Sequence, residues 1–460
     1  MPTNVDSDNG ALEPAIALEE LVAAAQSGSD DDLKALLLSR HPADVAELIN
    51  VLDRAELRTK TFRAVRPDDG PRVLRLVSSD ARKEIVQALP VEHVRQIVEE
   101  LDSDDAADLL GSVPKERAQA ILEGLPGALS ARIQQLLRYP ADTAGGLMQS
   151  EYAAVLEGAT VEEAIEIVRS LAEAVRDIHN VFVVDHRFHL LGVLPLSRLI
   201  LARAGETVDA VMEREVISVT VDTDQEEVAQ LFRKYDLVSI PVTDPRGALL
   251  GRITVDDVVD VLQQEASEDL SKLSGLGENE PIFDTPARTI RRRLPWLGLN
   301  LVTTSLSASV IGLFEDTIHT MALAAALMTI VAAQGGNAGV QTLTVMVRGL
   351  ALGQVSAAHA RAILLKELAV ACGNGIVLGL AAGLSAYLLH GQGLLAVVLG
   401  AALLVNYLVA ALVASLIPLA MRWMHADPAV ASSVFVTACT DLCGFFAFLG
   451  LLTIGIRYFA

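Results

Sequence analysis

The hydrophobic and polar positions along this chain follow three different patterns. From residue 15 to residue 138, apolar residues recur at helical spacing in short units that open on Pro, Asp or Ser. Strand and helix periods alternate from about residue 150 to residue 262, and long apolar runs fill the chain from Arg291 onward. The pattern predicts a multi-domain, α-rich membrane protein that joins an α-helical solenoid, an α/β region and a five-helix transmembrane bundle.

The α/β region contains one pattern twice. AAVLEGATVEEAIEIVRS resembles ISVTVDTDQEEVAQLFRK, and NVFVVDHRFHLLGVLPLSRLI resembles SIPVTDPRGALLGRITVDDVV. Each copy predicts a strand, a helix, two further strands and a second helix. The predicted domains are a disordered tail at 1–14, a helical domain at 15–138, the two copies at 139–205 and 206–262, a connecting helix at 263–290 and a transmembrane domain at 291–460.

Five apolar segments are long enough to span a bilayer, near 294–314, 319–346, 363–389, 393–421 and 430–456. The basic stretch RTIRRRLPW precedes the first, and the positive-inside rule places it in the cytoplasm. The loops FEDTIHT and LLHGQG hold no Lys or Arg and are predicted outside. We therefore expect a multi-pass protein of the cytoplasmic membrane with its N-terminus in the cytoplasm and its C-terminus outside. The first 20 residues lack the basic flank and apolar core of a signal peptide.

The charge is divided unevenly along the chain. The last 170 residues carry eight basic and five acidic residues, so the net charge of −22 comes entirely from residues 1–290. Such an acidic surface disfavours nucleic acid and favours cations. The three cysteines lie in apolar segments and give neither a disulfide framework nor a zinc spacing. No phosphate-binding loop or nucleophile with its base is recognisable, so an enzyme is not expected.

One carboxylate, Asp441, lies within the last apolar run, VFVTACTDLCGFFAFLGL. An ionisable group at bilayer depth costs roughly 2.5–3.5 kcal/mol, so such residues usually face a bundle interior or a water path. We interpret Asp441 as facing a pore. A protonated Asp that is hydrogen-bonded to a neighbouring helix is the alternative.

Polar side chains also interrupt the second apolar segment, in AAQGGNAGVQT. Gln334, Asn337, Gln341 and Thr342 would be costly against lipid, so this segment is predicted to line a cavity or a close helix contact, with Asn337 and Gln341 as pore-lining candidates. Packing of small residues is the alternative. In the third segment, Lys366 and Glu367 are predicted at the cytoplasmic edge.

Acidic residues recur at helical spacing in two places. Asp104 and Asp108 stand four residues apart, and TVDDVVDVLQQEASEDL adds a longer series: Asp256, Asp257, Asp260, Glu265, Glu268 and Asp269. Like charges on one helix face are destabilising unless a cation lies between them. Lys and Arg are scarce nearby, which favours a hard divalent cation with oxygen ligands. A solvated acidic face remains the alternative.

Over nearly its whole length the chain resembles the MgtE-type magnesium channels and transporters. The matching motifs are HPADVAEL, LDSDDAADLL, RYPADTAGGLM, DTDQEEVAQLFRKYDL, TVDDVVDV followed by EASED, GGNAGVQ with RGLALG, and DPAVAS with VTACTDLCGF. The repeated α/β pattern resembles a tandem pair of cystathionine-β-synthase (CBS) domains, a module that often binds adenine nucleotides. In the second copy Gly251, Thr254 and Asp257 match the nucleotide-binding pattern, whereas Arg198 replaces the acid in the first.

The resemblance implies a homodimer in a lipid bilayer that binds hydrated magnesium at Asp441 and has no nucleic-acid partner. It also implies that intracellular magnesium closes the pore by binding acids of the cytosolic domains and the connecting helix. These acids match Asp104, Asp108, Asp224, Glu226, Asp236, Asp256, Asp257, Asp260, Glu265, Glu268, Asp269 and Asp427. ATP at the CBS pair is a further candidate ligand. Three positions depart from the family pattern: Gln263, Gln264 and Val340.

Three function classes follow from these features. A magnesium-selective channel gated by its own ion is the favoured interpretation. A carrier that couples magnesium, cobalt or manganese to another gradient is the second, although no further buried acid or intramembrane His is evident beside Asp441. A non-conducting CBS-type membrane sensor is the third, and an Asp in mid-membrane is hard to explain on that interpretation.

Overall fold

A computed structural model describes residues 18–172, 175, 177–276, 280, 285–355, 359–424, 427 and 433–459. Two compact units divide the chain, Met1–Val261 and Leu262–Ala460. The tail predicted at 1–14 lies outside the described residues, as do parts of the predicted connecting segment and most of the DPAVAS motif.

Short helices form the first part of the first unit. They are α1 (Leu18–Ser27), α2 (Asp30–Leu37), α3 (Pro42–Val51), α4 (Ala55–Ala64), a 3₁₀ turn (Pro67–Asp69), α5 (Gly70–Leu76), α6 (Ser79–Ala88), α7 (Val91–Glu100), α8 (Ser103–Gly111), α9 (Lys115–Leu122) and α10 (Gly127–Leu136). Prolines at or just inside the start set several boundaries, because proline has no N–H to donate and its φ fits the first turn. Helices two apart in sequence pack together, as the solenoid prediction requires.

Two α/β repeats follow. They comprise α11 (Ala144–Leu147), β1 (Ala153–Leu156), α12 (Val161–Leu171), β2 (Asn180–Val184), β3 (Leu190–Pro195), α13 (Leu196–Leu201), α14 (Val208–Val211), β4 (Val219–Thr220), α15 (Gln225–Tyr235), β5 (Ser239–Thr243), β6 (Leu249–Thr254) and α16 (Val255–Leu273). The sheet orders are β1-β2-β3 and β4-β5-β6. In each sheet the first pair of strands is parallel and the second antiparallel, so the two copies fold alike.

The repeats exchange short edge segments. Gln149 precedes β1 of the first repeat but pairs its backbone with Arg252 in β6 of the second, at N···O distances of 2.8 and 3.0 Å. Glu213 precedes β4 of the second repeat but pairs with Val193 in β3 of the first. Buried apolar residues of the helical part and of the second repeat form one continuous cluster, whereas those of the first repeat form another. The second repeat is therefore packed with the solenoid.

The second unit contains long apolar helices. They are α17 (Pro286–Gly312), α19 (Leu323–Ala351), α20 (Ala360–His390), α21 (Gly393–Trp423) and α22 (Ser433–Phe459), with the short α18 (Glu315–Thr320) before the second. By length and composition, five helices among the described residues can cross a membrane, in agreement with the predicted five. The helix α22 packs against α17, α19 and α21.

Candidate cation sites

Acidic side chains of α8 and α16 converge on a cavity of about 550 Å³ inside the first unit. Its charged lining, which we call the acid cavity, consists of Asp102, Asp104, Asp105, Asp177, Asp256 and Asp257 together with Arg72, Arg75 and Arg252. Two of these acids stand in the first turn of α8 and two in the first turn of α16. The positive end of a helix dipole favours carboxylates there, which explains why the chain tolerates them so close together.

The first turn of α8 holds the most buried carboxyl groups. Asp104 is only 7% exposed, and its Oδ1 atom has no hydrogen-bond partner among the described residues. Burial and the nearby charges of Asp257 and Asp105 raise the pKa of Asp104 well above its ordinary value. Burial also raises the pKa of Asp105 to about 7, although the Arg75 guanidinium opposes this shift. These groups gain from a bound proton or cation near neutral pH.

At the start of α16, hydrogen bonds stabilise the ionised form of one carboxyl group, whereas burial destabilises the ionised form of the next. Thr254 Oγ1 lies 2.6 Å from Asp256 Oδ1 and 2.7 Å from Asp257 Oδ2, and Arg75 Nη1 donates to Asp256 Oδ2 at 3.0 Å. Burial opposes ionisation of Asp256, but the hydrogen bonds from Thr254 and Arg75 outweigh it and leave its pKa below the ordinary value. For Asp257, burial outweighs the bond from Thr254 and raises the pKa to about 6.

The donor set of the acid cavity suits a hard cation. Carboxylate oxygens are the ligands that magnesium prefers, and the unpartnered Oδ1 of Asp104 is an acceptor without a donor. Within the described ranges, no three His, Cys, Asp or Glu side chains form a group that could hold a metal as they stand. Magnesium usually keeps several of its waters, so carboxylates can bind it through them. A magnesium ion here would thus be held largely through water or after side-chain rotation.

Several predicted regulatory ligands lie outside the acid cavity. Asp224 caps α15, where its side chain accepts from the backbone N of Glu226 at 2.8 Å. Asp236 ends the same helix in the left-handed conformation, with φ of 53°. Asp108 and Asp260 are exposed. The structure therefore brings Asp104, Asp256 and Asp257 together and gives Asp224 and Asp236 local structural roles. It also adds three acids that the sequence analysis did not select: Asp102, Asp105 and Asp177.

The nucleotide candidates have structural roles as well. A Cβ atom at Gly251 would lie 2.7 Å from Gln149 O, so the glycine permits the exchanged segment to approach β6. Thr254 and Asp257 contact each other and line the acid cavity beside three arginines. In the first repeat, Arg198 forms an exposed ion pair with Glu213 at 2.8 Å. Nucleotide binding by the second repeat stays a prediction.

A second acidic cluster lies in the second unit, on the later turns of α16. Lys272 Nζ donates to Asp427 Oδ2 at 2.6 Å and also pairs with Glu268, one turn earlier on its own helix. Burial raises the pKa of Asp269 to about 6, and the charges of Asp427 and Glu265 add to this shift. A lysine ammonium thus already lies among four predicted ligands. Basic residues are scarce in this stretch of the sequence, and its pattern does not distinguish Lys272 as a partner of these acids.

Asp441 lies on α22, half-buried, with no ion-pair partner among the described residues. One turn earlier, α22 meets the glycines of α19, because a Cβ at Gly336 would lie 3.7 Å from Thr437 and one at Gly339 would lie 2.5 Å from Val436. Asn337 is exposed on α19. The glycines of GGNAG therefore serve close helix packing, which was the alternative interpretation of this segment, and they leave Asn337 on the open side.

Gln341 lines a different cavity, of about 220 Å³, shared by α19, α20 and α21. Glu367 lines it too and is only 6% exposed; its Oε1 accepts from Lys366 at 2.7 Å. The sequence placed Glu367 at a membrane edge, whereas the structure buries it among helices. A signal for this burial was present, since Glu367 begins a stripe of buried positions that continues every four residues with Ala371 and Gly375.

Family models match three parts of the chain. The model described as "MgtE: Divalent cation transporter" matches residues 328–451, and the "MgtE intracellular N domain" matches residues 40–142. The CBS domain model matches residues 144–205 and 208–264. Together they cover the solenoid from α3 onward, both α/β repeats and most of four of the five long helices.

Curated relatives match over most of their length. Magnesium transporter MgtE of Thermus thermophilus is 34% identical over 447 residues, which are 95% of this chain and 97% of the relative. Magnesium transporter MgtE of Bacillus subtilis is 32% identical over 77% of this chain and 78% of its own. Among solved structures, the cytosolic domain of the Mg²⁺ channel MgtE in complex with ATP is 39% identical, with a TM-score of 0.49; it covers 53% of this chain and 99% of that one.

Proposed function

The chain belongs to the MgtE family of divalent cation transporters, and from this premise we propose that it is a magnesium channel of the cytoplasmic membrane closed by intracellular magnesium. It is a multi-pass membrane protein with five candidate spans. The proposal includes a homodimer, a cytoplasmic N-terminus and an external C-terminus. The observation that carries it is Asp441, a half-buried carboxylate on the last long helix, which has no ion-pair partner among the described residues.

An unpaired carboxylate in such a helix suits a hydrated divalent cation. Magnesium gives up its water reluctantly, so a pore can select it by holding the hydrated ion through carboxylate oxygens. One Asp441 from each chain of a two-fold dimer supplies a pair of carboxylates on the pore axis. This arrangement offsets the cost of placing the charge within the membrane whenever an ion is present.

The acid clusters support closure by magnesium. Asp105 and Asp257 in the acid cavity and Asp269 in the second cluster have pKa values raised to about 6 or 7, and each is repelled by the carboxylates beside it when no cation is bound. A shift of a two-state gate from 1:99 to 99:1 requires about 5.5 kcal/mol. One site at a hundredfold excess of magnesium over its dissociation constant contributes only about 2.7 kcal/mol. Two such sites in the assembly together contribute about 5.4 kcal/mol, which nearly meets this requirement, whereas one site alone does not.

Flux measurements test the channel assignment. Whole protein in proteoliposomes, with a magnesium gradient and no proton or sodium gradient, is expected to admit magnesium, whereas Asp441→Asn is expected to admit almost none. Asp316→Asn, which changes an exposed acid of α18, is the matched control and should retain wild-type flux. Flux in Asp441→Asn equal to that of the control would refute the role of Asp441.

Closure is tested in the same vesicles with magnesium added on the side of the cytosolic domains. We expect flux of the wild type to fall as that magnesium rises through the millimolar range. A variant with Asp104, Asp257 and Asp269 all changed to Asn should conduct but require more magnesium to close. Identical inhibition of both proteins would remove the acid clusters from the gate.

A coupled carrier is the second candidate, and Glu367 is the observation that favours it. This buried carboxylate next to Lys366 is a group that could exchange a proton during transport. A carrier would show magnesium uptake that depends on an imposed proton gradient and is lost in Glu367→Gln. Uptake that follows the magnesium gradient alone supports the channel.

A further inference from the structure

A buried amide lies where three of the long helices meet. Asn406 of α21 is fully buried, and its Nδ2 donates to Val331 O of α19 at 2.8 Å. The acceptor is a carbonyl inside a helix, which is also available to the N–H four residues later. The amide therefore reaches across to the backbone of α19, in an apolar part of the bundle.

Two glycines make room for this side chain. A Cβ atom at Gly335 of α19 would lie 2.0 Å from Asn406 Nδ2, and one at Gly444 of α22 would lie 2.7 Å from the same nitrogen. Real Cβ atoms are not found so close to a neighbouring atom, so any side chain at either position would displace the amide. Asn406 thus occupies a gap bounded by α19 on one side and α22 on the other.

The amide is not needed for packing. Asn406 Oδ1 is buried and has no hydrogen-bond partner among the described residues, a situation that typically costs about 1–3 kcal/mol. An apolar side chain of similar size would fill the gap without that cost. The amide adds a directional contact that an apolar side chain cannot make. Its hydrogen bond to the Val331 carbonyl favours one rotation of α19 relative to α21. The adjacent Tyr407 adds a second bond to α19, from its hydroxyl to Gln334 Oε1 at 2.9 Å.

Both helices that meet this amide carry candidate pore residues nearby. Asn337 lies two residues after Gly335, and Asp441 lies three residues before Gly444. A change of rotation or separation at Asn406 would therefore move both pore candidates. We propose that Asn406 is a positioning residue of the ion pathway, which sets the relative placement of Asn337 and Asp441 by holding α19 and α22 at a fixed distance. This inference rests on the proposed channel function.

The test measures ion discrimination as well as flux. Whole-protein vesicles are prepared with wild type, Asn406→Ala and the control Asn300→Ala, which removes an exposed amide of α17. We expect Asn406→Ala to reduce magnesium flux per folded molecule at least tenfold and to reduce the ratio of magnesium to calcium flux severalfold. The control should match the wild type in both. If Asn406→Ala does not fold, Asn406→Leu, which keeps about the same volume but removes the donor, takes its place.

A double substitution distinguishes a positioning role of Asn406 from a general loss of structure. Gly335→Ala should lose flux and discrimination because its methyl group displaces the amide. In the Asn406→Ala background that methyl meets no amide, so adding Gly335→Ala should change little further. Fully additive losses, or a loss of folded protein with unchanged flux ratio per molecule, would overturn the inference. Absence of magnesium flux in the wild type would instead refute the proposed function itself.

Discussion

Replacement of Asp257 by Asn should stabilise the acid cavity at high pH and weaken its response to magnesium. Burial raises the pKa of Asp257 from 3.8 to about 6, a difference that corresponds to about 3 kcal/mol. Above pH 7 this group is ionised and the folded unit bears most of that penalty. Asn is neutral and can still accept from Thr254 Oγ1, which lies 2.7 Å from Asp257 Oδ2. The variant therefore avoids the penalty and keeps the contact.

The size of the effect depends on pH. Because the folded-state pKa is raised, protonation of Asp257 favours the folded state, and that stability is lost as the pH rises through about 6. At pH 8 without magnesium, Asp257→Asn should slow amide exchange around the start of α16 by up to about a hundredfold. At pH 5 the folded carboxyl group is mostly protonated, but in the open state, with the ordinary pKa of 3.8, it is mostly ionised, so the variant should still slow exchange, by about fifteenfold.

Magnesium should remove most of the difference between variant and wild type. At a hundredfold excess over its dissociation constant, a bound ion adds about 2.7 kcal/mol to the wild type, which is close to the penalty that Asn removes. The assay is hydrogen–deuterium exchange of the whole protein at pH 5 and pH 8, with and without magnesium, and Asp68→Asn is the exposed control. An equal stabilisation at both pH values would refute the electrostatic argument. A variant with an undiminished magnesium response would refute ion binding at Asp257.

Two further substitutions test fixed cations of the two acid clusters. Lys272→Gln removes the ammonium that lies 2.6 Å from Asp427 Oδ2. Because the cluster becomes more negative, half-maximal closure should need severalfold less magnesium. A higher magnesium requirement would show that Lys272 itself stabilises closure. Arg252→Met leaves Gln149 Oε1 without its two donors, at 3.1 and 2.9 Å. The free energy of unfolding of the first unit, measured in urea, should fall by about 1–3 kcal/mol. An unchanged unfolding midpoint would contradict the assigned cost of the unpaired oxygen.

The sequence predicted the architecture because each region has its own hydrophobic period. Helical spacing with prolines at unit starts indicated the solenoid, and apolar length indicated five spans, which the structure confirms within a few residues. The first span is the exception. Its helix begins at Pro286, before the apolar run, because the basic residues that precede the run continue the same helix.

Contacts distant in sequence could not be predicted in this way. Gln149 and Arg252 are about a hundred residues apart in the sequence. The hydrophobic pattern around each of them does not indicate that they pair. The ammonium of Lys272 was visible as a residue, but its distance to Asp427 depends on how the second unit folds. In the sequence, Asn406 is one of several polar residues that interrupt the apolar segments. Only the glycines that face it, from two other helices, give it a defined role.

The two acid clusters share a feature that bears on how they can sense an ion. In each, a fixed cation pairs with one carboxylate, Arg75 with Asp256 and Lys272 with Asp427, and burial raises the pKa of another carboxyl group, Asp257 in the first and Asp269 in the second. A fully compensated cluster would gain nothing from magnesium, and one with no fixed cation would bind it too tightly to release it as the concentration falls. Partial compensation lowers the affinity of each cluster while leaving repulsion that an ion can relieve. Removing the fixed cation should therefore shift the sensing range toward lower magnesium without abolishing sensing, whereas removing the carboxylates should abolish it.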